Sequence, residues 1–402
     1  MERDSRYRKP FVAVVALLLV LLFRSLPAEG ARVTEVADAF DDNDPFDFNF
    51  QPRFFLNSLS GLLTREYIME GALTEVKELN FSHKRLGFAF DVEFGIYKDL
   101  SLGVTIPAYV SESNSWNLAD IDAKSSTLLT QKRIRLPGED PLTEEQKNET
   151  VSLIPAESFN NARSGFGDLA LKFRWQALND ERKPYWASFM LGFDYIIATG
   201  AISQPGLDAT EVGGVGAGVN FLHFIMSFSK RFGTALDPYA EIDYYLPQII
   251  AKSITDPGHD VGFKLGSEFI VYEKSEEGRF VIDVNYLTRY TSEAAKQFTP
   301  MSDARGNLNR EEQFITLGGG FGLYGDIGKY VRLGLDTSYA HQFQHFITYT
   351  YYGKDLNGDG IVTPNSTEYS PIFDKYTDEP GRRLRIKNSF LFGLNFAITA
   401  RF

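Results

Sequence analysis

The chain has 402 residues, a formal net charge of −12 and no cysteine. Its acidic balance disfavours a nucleic-acid partner, because phosphate backbones are bound by basic surfaces. The lack of cysteine excludes a disulfide framework and thiolate zinc sites. The 34 Phe, 20 Tyr and 34 Gly are typical of a protein with many strands, lipid-facing rings and tight turns.

Residues 1–28 have the pattern of a secretory signal peptide. Basic residues precede thirteen apolar residues, Phe11–Phe23, and small residues follow at Ala28 and Ala31. In a helix, thirteen residues span about 20 Å, which is too short for a hydrocarbon core of about 30 Å. We therefore predict a cleaved signal peptide and an exported chain, rather than a membrane anchor.

Residues 29–63 form an acidic and aromatic segment that contains the run DDNDPFDF at positions 41–48. We predict that this segment lies in the periplasm, before the first strand. Two interpretations stay open: the segment plugs the barrel, or it is a disordered leader.

Residues 64–402 carry the strands. Period-2 alternation is clearest in Leu86–Ile96 and Leu100–Val110 and recurs to the C-terminus. Counting a weaker first strand at about 68–82, the pattern predicts about 12 strands of the length that a tilted membrane crossing needs. The intervening connections alternate between short and long. The sequence therefore predicts an all-β, transmembrane, antiparallel up-and-down β-barrel with short periplasmic turns and long extracellular loops.

Charged residues occupy the register opposite to the apolar one, so we expect them to face the lumen. On the lipid face each would cost up to about 2–4 kcal/mol at mid-depth. Two interpretations stay open: these charges line a solute pathway, or they pair across the lumen and narrow it. The predicted pathway residues are Lys172, Arg174, Glu241, Asp283, Arg332, Asp336 and Arg385.

The last strand ends in Phe402, the terminal aromatic residue typical of barrels inserted into a bacterial outer membrane. This feature predicts localisation in the cell outer membrane. The expected partners are outer-membrane lipid, lipopolysaccharide and the barrel-assembly machinery, which would act on the strand that ends in Phe402.

A calcium-loop pattern, D-x-N-x-D-G-x-I, begins at Asp355. Asp355, Asn357 and Asp359 would supply side-chain oxygens and Ile361 a backbone carbonyl. Ser366 stands where the pattern has a bidentate Glu, so an Asx-turn-rich loop without metal is the alternative. We expect no required cofactor, and calcium only as an ion that stiffens an extracellular loop.

The segment GFGDLALKFR, residues 165–174, is glycine-rich at its start and then alternates. It resembles the G-x-G-D-L-x-L-x-x-[KR] segment of the outer-membrane barrel family associated with meta-pathway phenol degradation. The hairpin Val92–Pro107 and the terminal Phe fit that family as well. The resemblance implies a channel for small, aromatic or hydrophobic solutes.

We therefore predict passive uptake through the barrel by a protein that is not an enzyme. The alternative is a closed barrel that acts as an envelope-structural or surface-binding protein through its extracellular loops.

Overall fold

In the computed structural model, the described residues are 31–37, 39–41, 44–69, 71–120, 130–132, 150–152, 160–180, 186–201, 215–248, 258–274, 278–296, 309–349 and 383–402. Apart from one 3-10 turn, Arg32–Thr34, the regular structure of these residues is β. None of their helices is long and apolar enough to cross a membrane.

Twelve antiparallel strands form a closed barrel, and each strand pairs with its neighbours in sequence. The strands are β1 (Phe48–Met69), β2 (Ala72–Tyr97), β3 (Leu100–Leu118), β4 (Asn160–Phe166 continued by Leu169–Leu178), β5 (Ser188–Ile197), β6 (Asn220–Ser229), β7 (Leu236–Gln248), β8 (Asp260–Lys274), β9 (Gly278–Thr291), β10 (Phe314–Ile327), β11 (Val331–Gln342) and β12 (Leu384–Arg401). The predicted fold class and strand number are confirmed.

Pairing between β12 and β1 closes the barrel, from Leu384↔Arg65 to Arg401↔Asn49. At the periplasmic end, Phe48 and Phe402 exchange two backbone hydrogen bonds of 2.9 Å. Because β1 and β12 pair with each other, the wall of twelve strands, as far as the structure describes it, presents no open strand edge to the lipid.

The first strand is placed differently from the prediction. It begins at Phe48, whereas the sequence indicated a weak strand at 68–82 and a barrel starting at residue 64. A turn at Gly71, with φ of +79°, divides the predicted strand between β1 and β2. The prediction was wrong because β1 mixes Asn, Ser and Pro with apolar residues. Residues 48–63 therefore belong to the barrel and not to the preceding segment.

The two faces of the wall differ in chemistry. Large apolar side chains such as Phe90, Phe321 and Phe396, each at least 40% exposed, cover the outside. Charged and hydroxyl side chains point inward and are mostly buried. An apolar band around a polar interior is the pattern of a bacterial outer-membrane barrel, which places this chain in the cell outer membrane.

Strand length is uneven around the barrel. β1, β2 and β3 have 22, 26 and 19 residues, whereas a tilted crossing needs about 10. The turns at the periplasmic end are short, as between Tyr97 and Leu100. The excess length of these three strands therefore rises on the extracellular side.

Smaller strands lie outside the twelve. Ala39–Asp41 and Asp44–Phe46 form a hairpin before β1, and Thr130–Lys132 pairs with Thr150–Ser152. The strands Ala294–Lys296, Asn309–Glu311 and His345–Tyr349 extend the sheet beside β12.

Candidate functional site

One network of charges runs along the inner face of the wall from β4 to β9. Arg174 donates to Asp194 at 2.5 Å, and the His223 ring joins Asp194, at 3.0 Å from Nδ1, to Asp243, at 3.8 Å from Nε2. Asp243 in turn accepts a hydrogen bond of 2.8 Å from Arg289. Five side chains from five strands thus form one chain of contacts, so the predicted residue Arg174 lies in a paired network.

A second group lies on β1 to β4. Lys172 pairs with Asp91 at 2.6 Å, and Thr105 donates to the same carboxylate. Arg53 stands 3.5 Å from Asp91, so it is the weaker of the two cationic partners. The predicted residue Lys172 is therefore engaged, and Arg53 faces the lumen with weaker pairing.

Two further predicted residues accept neutral hydrogen bonds. Glu241 accepts from the Ser227 hydroxyl at 3.1 Å, and Asp283 accepts from the Tyr239 hydroxyl at 2.8 Å. Asp283 is only 3% exposed. Both carboxylates line the lumen, as expected from their register.

Arg385 lies higher than the other predicted residues, at the extracellular end. It pairs with Glu75 at 2.9 Å and with Glu66 at 3.2 Å, and its guanidinium stacks on the Phe346 ring. Arg383 stacks on the same ring and also binds Glu66. We call these five residues the outer-rim cluster, and they fasten β12 to the long extensions of β1 and β2.

Residues 31–37, here called the closing segment, run across the periplasmic mouth. At one end the Ala31 N–H donates to the Ser229 hydroxyl of β6 at 3.1 Å. At the other end the Ala37 N–H donates to Glu93 of β2 at 3.4 Å. The segment therefore crosses the opening from one wall to another rather than lying along one strand.

Glu35 fixes the middle of the closing segment. Its carboxylate is bound by the Arg332 guanidinium and lies 3.9 Å from Arg279 and 3.8 Å from Arg401. Arg332 also binds Asp326 at 2.6 Å. One acidic side chain of the segment thus meets three arginines from β9, β11 and β12.

Arg32 forms a second attachment in which the segment supplies the positive charge and the wall supplies the negative charge. It pairs with Glu268 at 2.8 Å, and the Glu268 side chain is fully buried. Its guanidinium also stacks on the Tyr324 ring of β10. The predicted residue Asp336 interacts electrostatically with Arg32, so it too belongs to the surroundings of the closing segment.

Glycines make room for the ring under Arg32. A Cβ at Gly322 would stand 2.5 Å from Tyr324 Cε2, and one at Gly334 would stand 3.1 Å from Cδ1. The bare backbone therefore allows the ring to lie against the wall, where it supports the Arg32 side chain.

Sequence reasoning identified Arg332 but missed its partner Glu35, and it missed Arg32. The signal was faint, since these are single charges in a segment without periodicity. A cation and an anion stand three positions apart there, but only the folded barrel shows that each faces opposite charge.

The predicted calcium ligands Asp355, Asn357, Asp359 and Ile361 lie outside the described residues. Within the described ranges no group of three His, Asp or Glu side chains is arranged to hold a metal ion. The signal peptide, residues 1–28, also lies outside them.

No model of a protein family matches the chain, and no curated protein matches it in sequence. Among solved structures, an outer-membrane channel from Pseudomonas putida F1 is 9% identical over 93% of this chain and 100% of that chain, with a TM-score of 0.46. A FadL homologue of Pseudomonas aeruginosa is 10% identical over 94% of this chain and 99% of that chain, with a TM-score of 0.32.

The Pseudomonas putida toluene transporter TodX is 9% identical over 94% of this chain and 99% of that chain, with a TM-score of 0.31. At these values the likeness transfers no function. The closed wall of twelve strands, with its apolar outside and polar inside, makes the chain an outer-membrane β-barrel, and its resemblance to the meta-pathway phenol family stays a prediction.

Proposed function

We propose that this chain is an outer-membrane channel for the passive uptake of small aromatic or hydrophobic solutes, and that its closing segment acts as a plug at the periplasmic mouth. The observation that carries the proposal is the attachment of residues 31–37 to several strands around the mouth: to β8 and β11 through the ion pairs of Arg32 and Glu35, and to β6 and β2 through the backbone of Ala31 and Ala37. A barrel with only a structural role would not need a separate segment fastened across its mouth.

The attachment is suited to reversible release. Glu35 keeps 29% of its side-chain surface exposed, and its three arginines have other acidic partners among Asp326, Glu268 and Glu273. When the segment leaves the mouth, these other carboxylates still offset part of the positive charge of the three arginines. The free-energy cost of opening is therefore limited. No energy-coupling element is required, because the solute moves down its own gradient.

Uptake into porin-depleted Gram-negative cells that express the chain would test the proposal. The initial rate for a radiolabelled neutral aromatic, benzyl alcohol, should exceed that of cells with an empty vector. It should rise further when residues 31–37 are deleted, and an uncoupler should not reduce it.

Any longer deletion of the segment before the barrel must also end before Phe48, because β1 begins at that residue. Equal rates in vector, wild-type and deletion cells, with the barrel present in the outer membrane, would refute the channel. That result would favour the closed barrel that acts through its extracellular loops.

A further inference from the structure

A small cavity of about 200 Å³ opens into the lumen above the closing segment, between β1, β2, β3 and β12. Its walls combine apolar, amide and cationic groups. The residues that line it are Arg53, Phe55, Asn57, Ala89, Thr105, Pro107, Tyr109 and Asn395. Pockets for drug-sized ligands usually measure about 300–1,000 Å³, so this one suits a solute with a single ring.

The aromatic wall is recessed by two glycines. A Cβ at Gly87 would stand 2.7 Å from Phe55 Cζ, and one at Gly167 would stand 2.5 Å from Tyr109 Cε2. The two rings meet edge to face, with centroids 5.5 Å apart and planes at 76°. Phe55 is only 7% exposed, so the half-buried ring of Tyr109 supplies most of the aromatic surface that a planar solute can reach, and Phe55 packs against that ring.

Arg53 supplies the charge. Its only described ion pair is the 3.5 Å contact with Asp91, a carboxylate that already binds Lys172 at 2.6 Å. The buried Arg53 Nε has no hydrogen-bond partner among the described residues. Asp336 also interacts electrostatically with Arg53. The Arg53 side chain is 37% exposed, so its terminal N–H groups are available to bind an incoming carboxylate through two hydrogen bonds.

From the cavity, the recessed rings and Arg53, we infer that the lumen holds a binding site for single-ring aromatic carboxylates. This inference rests on the proposed channel function and narrows its solute class. The ring packs against Phe55 and Tyr109, the carboxylate binds Arg53, and the amides of Asn57 and Asn395 lie beside the bound solute.

Calorimetric titration of the refolded mature chain in a nonionic detergent would test the site, with benzoate and the neutral benzyl alcohol as probes. Wild-type protein should bind benzoate at least about tenfold more tightly than the alcohol, because a site built around a charged donor discriminates strongly against a ligand that lacks the acceptor. Arg53→Gln should abolish that preference and leave binding of benzyl alcohol unchanged.

Arg289→Gln is the matched control, because Arg289 also faces the lumen in an ion pair but lies outside the cavity. It should keep the preference, and a heat-dependent gel shift should show that both variants are folded barrels. Equal affinity for the two probes in wild-type protein, an Arg53→Gln variant that keeps its preference, or no binding of either probe would overturn the inference. Uptake of benzyl alcohol into cells reports on the channel separately, so failure of the site and failure of the channel remain distinguishable.

Discussion

Replacing Glu35 by Gln should open the periplasmic mouth without unfolding the barrel. The change removes a carboxylate that Arg332 binds and that lies within 4 Å of Arg279 and Arg401. A hydrogen bond to a charged group contributes about 1.5–3 kcal/mol. Screening at a side chain that is 29% exposed reduces the net loss to about 1–2 kcal/mol.

Since about 1.4 kcal/mol corresponds to a factor of ten, the open population should rise about five- to thirtyfold. Single-channel recording of the refolded mature chain in a planar bilayer measures that population as the fraction of time spent conducting. Glu75→Gln is the matched control, because Glu75 is 30% exposed and binds two basic residues, Arg385 and Lys387, at the outer rim. It should leave the open fraction at the wild-type value.

Deleting residues 31–37 should give the highest open fraction that loss of the closing segment can produce. If the deletion conducts steadily while Glu35→Gln matches wild type, the ion pair does not hold the segment, and the argument from Glu35 fails. If the deletion stays as silent as wild type, the closing segment is not the barrier to conduction.

Three further changes test other parts of the structure. Arg32→Gln should raise the open fraction of the channel more than Glu35→Gln does, because it removes a cationic partner from the fully buried carboxylate of Glu268. In urea unfolding, adding Glu268→Gln to Arg32→Gln should restore part of the lost free energy of unfolding. Gly322→Ala should lower the free energy of unfolding by about 1–3 kcal/mol, because its Cβ would meet a tyrosine ring at 2.5 Å. Gly325→Ala, whose Cβ would stand 3.9 Å from Phe280 Cδ2, should change it little, and equal losses would refute the steric argument. Val284→Arg, on the lipid face near the middle of β9, should cost about 2–4 kcal/mol in lipid-based unfolding, and a negligible loss would contradict the assigned orientation of the wall.

The barrel was predictable because lipid imposes a simple rule on every crossing. Alternation such as Leu86–Ile96 places apolar residues outward, and the even strand count follows from counting such runs. The sequence did not predict β1, because its outward face contains Pro52 beside Phe54 and Leu56, and this proline weakens the strand pattern. The extracellular extensions of β1 to β3 were not predicted either, since strand residues outside the membrane need not alternate between apolar and polar.

The candidate site was less predictable. The register indicated that Lys172 and Arg174 face the lumen, but their partners Asp91 and Asp194 were decided by strand pairing and side-chain reach. The closing segment depends wholly on contacts between distant parts of the chain. No local pattern distinguishes a segment that binds the barrel mouth from a leader that does not.

The closing segment also constrains the order of assembly. Arg32 is 236 residues from Glu268, and Glu35 is 297 residues from Arg332, so the segment precedes its partners in the chain and can bind them only after β8 and β11 are in place. Contacts between such distant residues form slowly. Each newly inserted barrel should therefore pass through a short-lived leaky stage, and the envelope's permeability would depend on how quickly residues 31–37 reach β8 and β11.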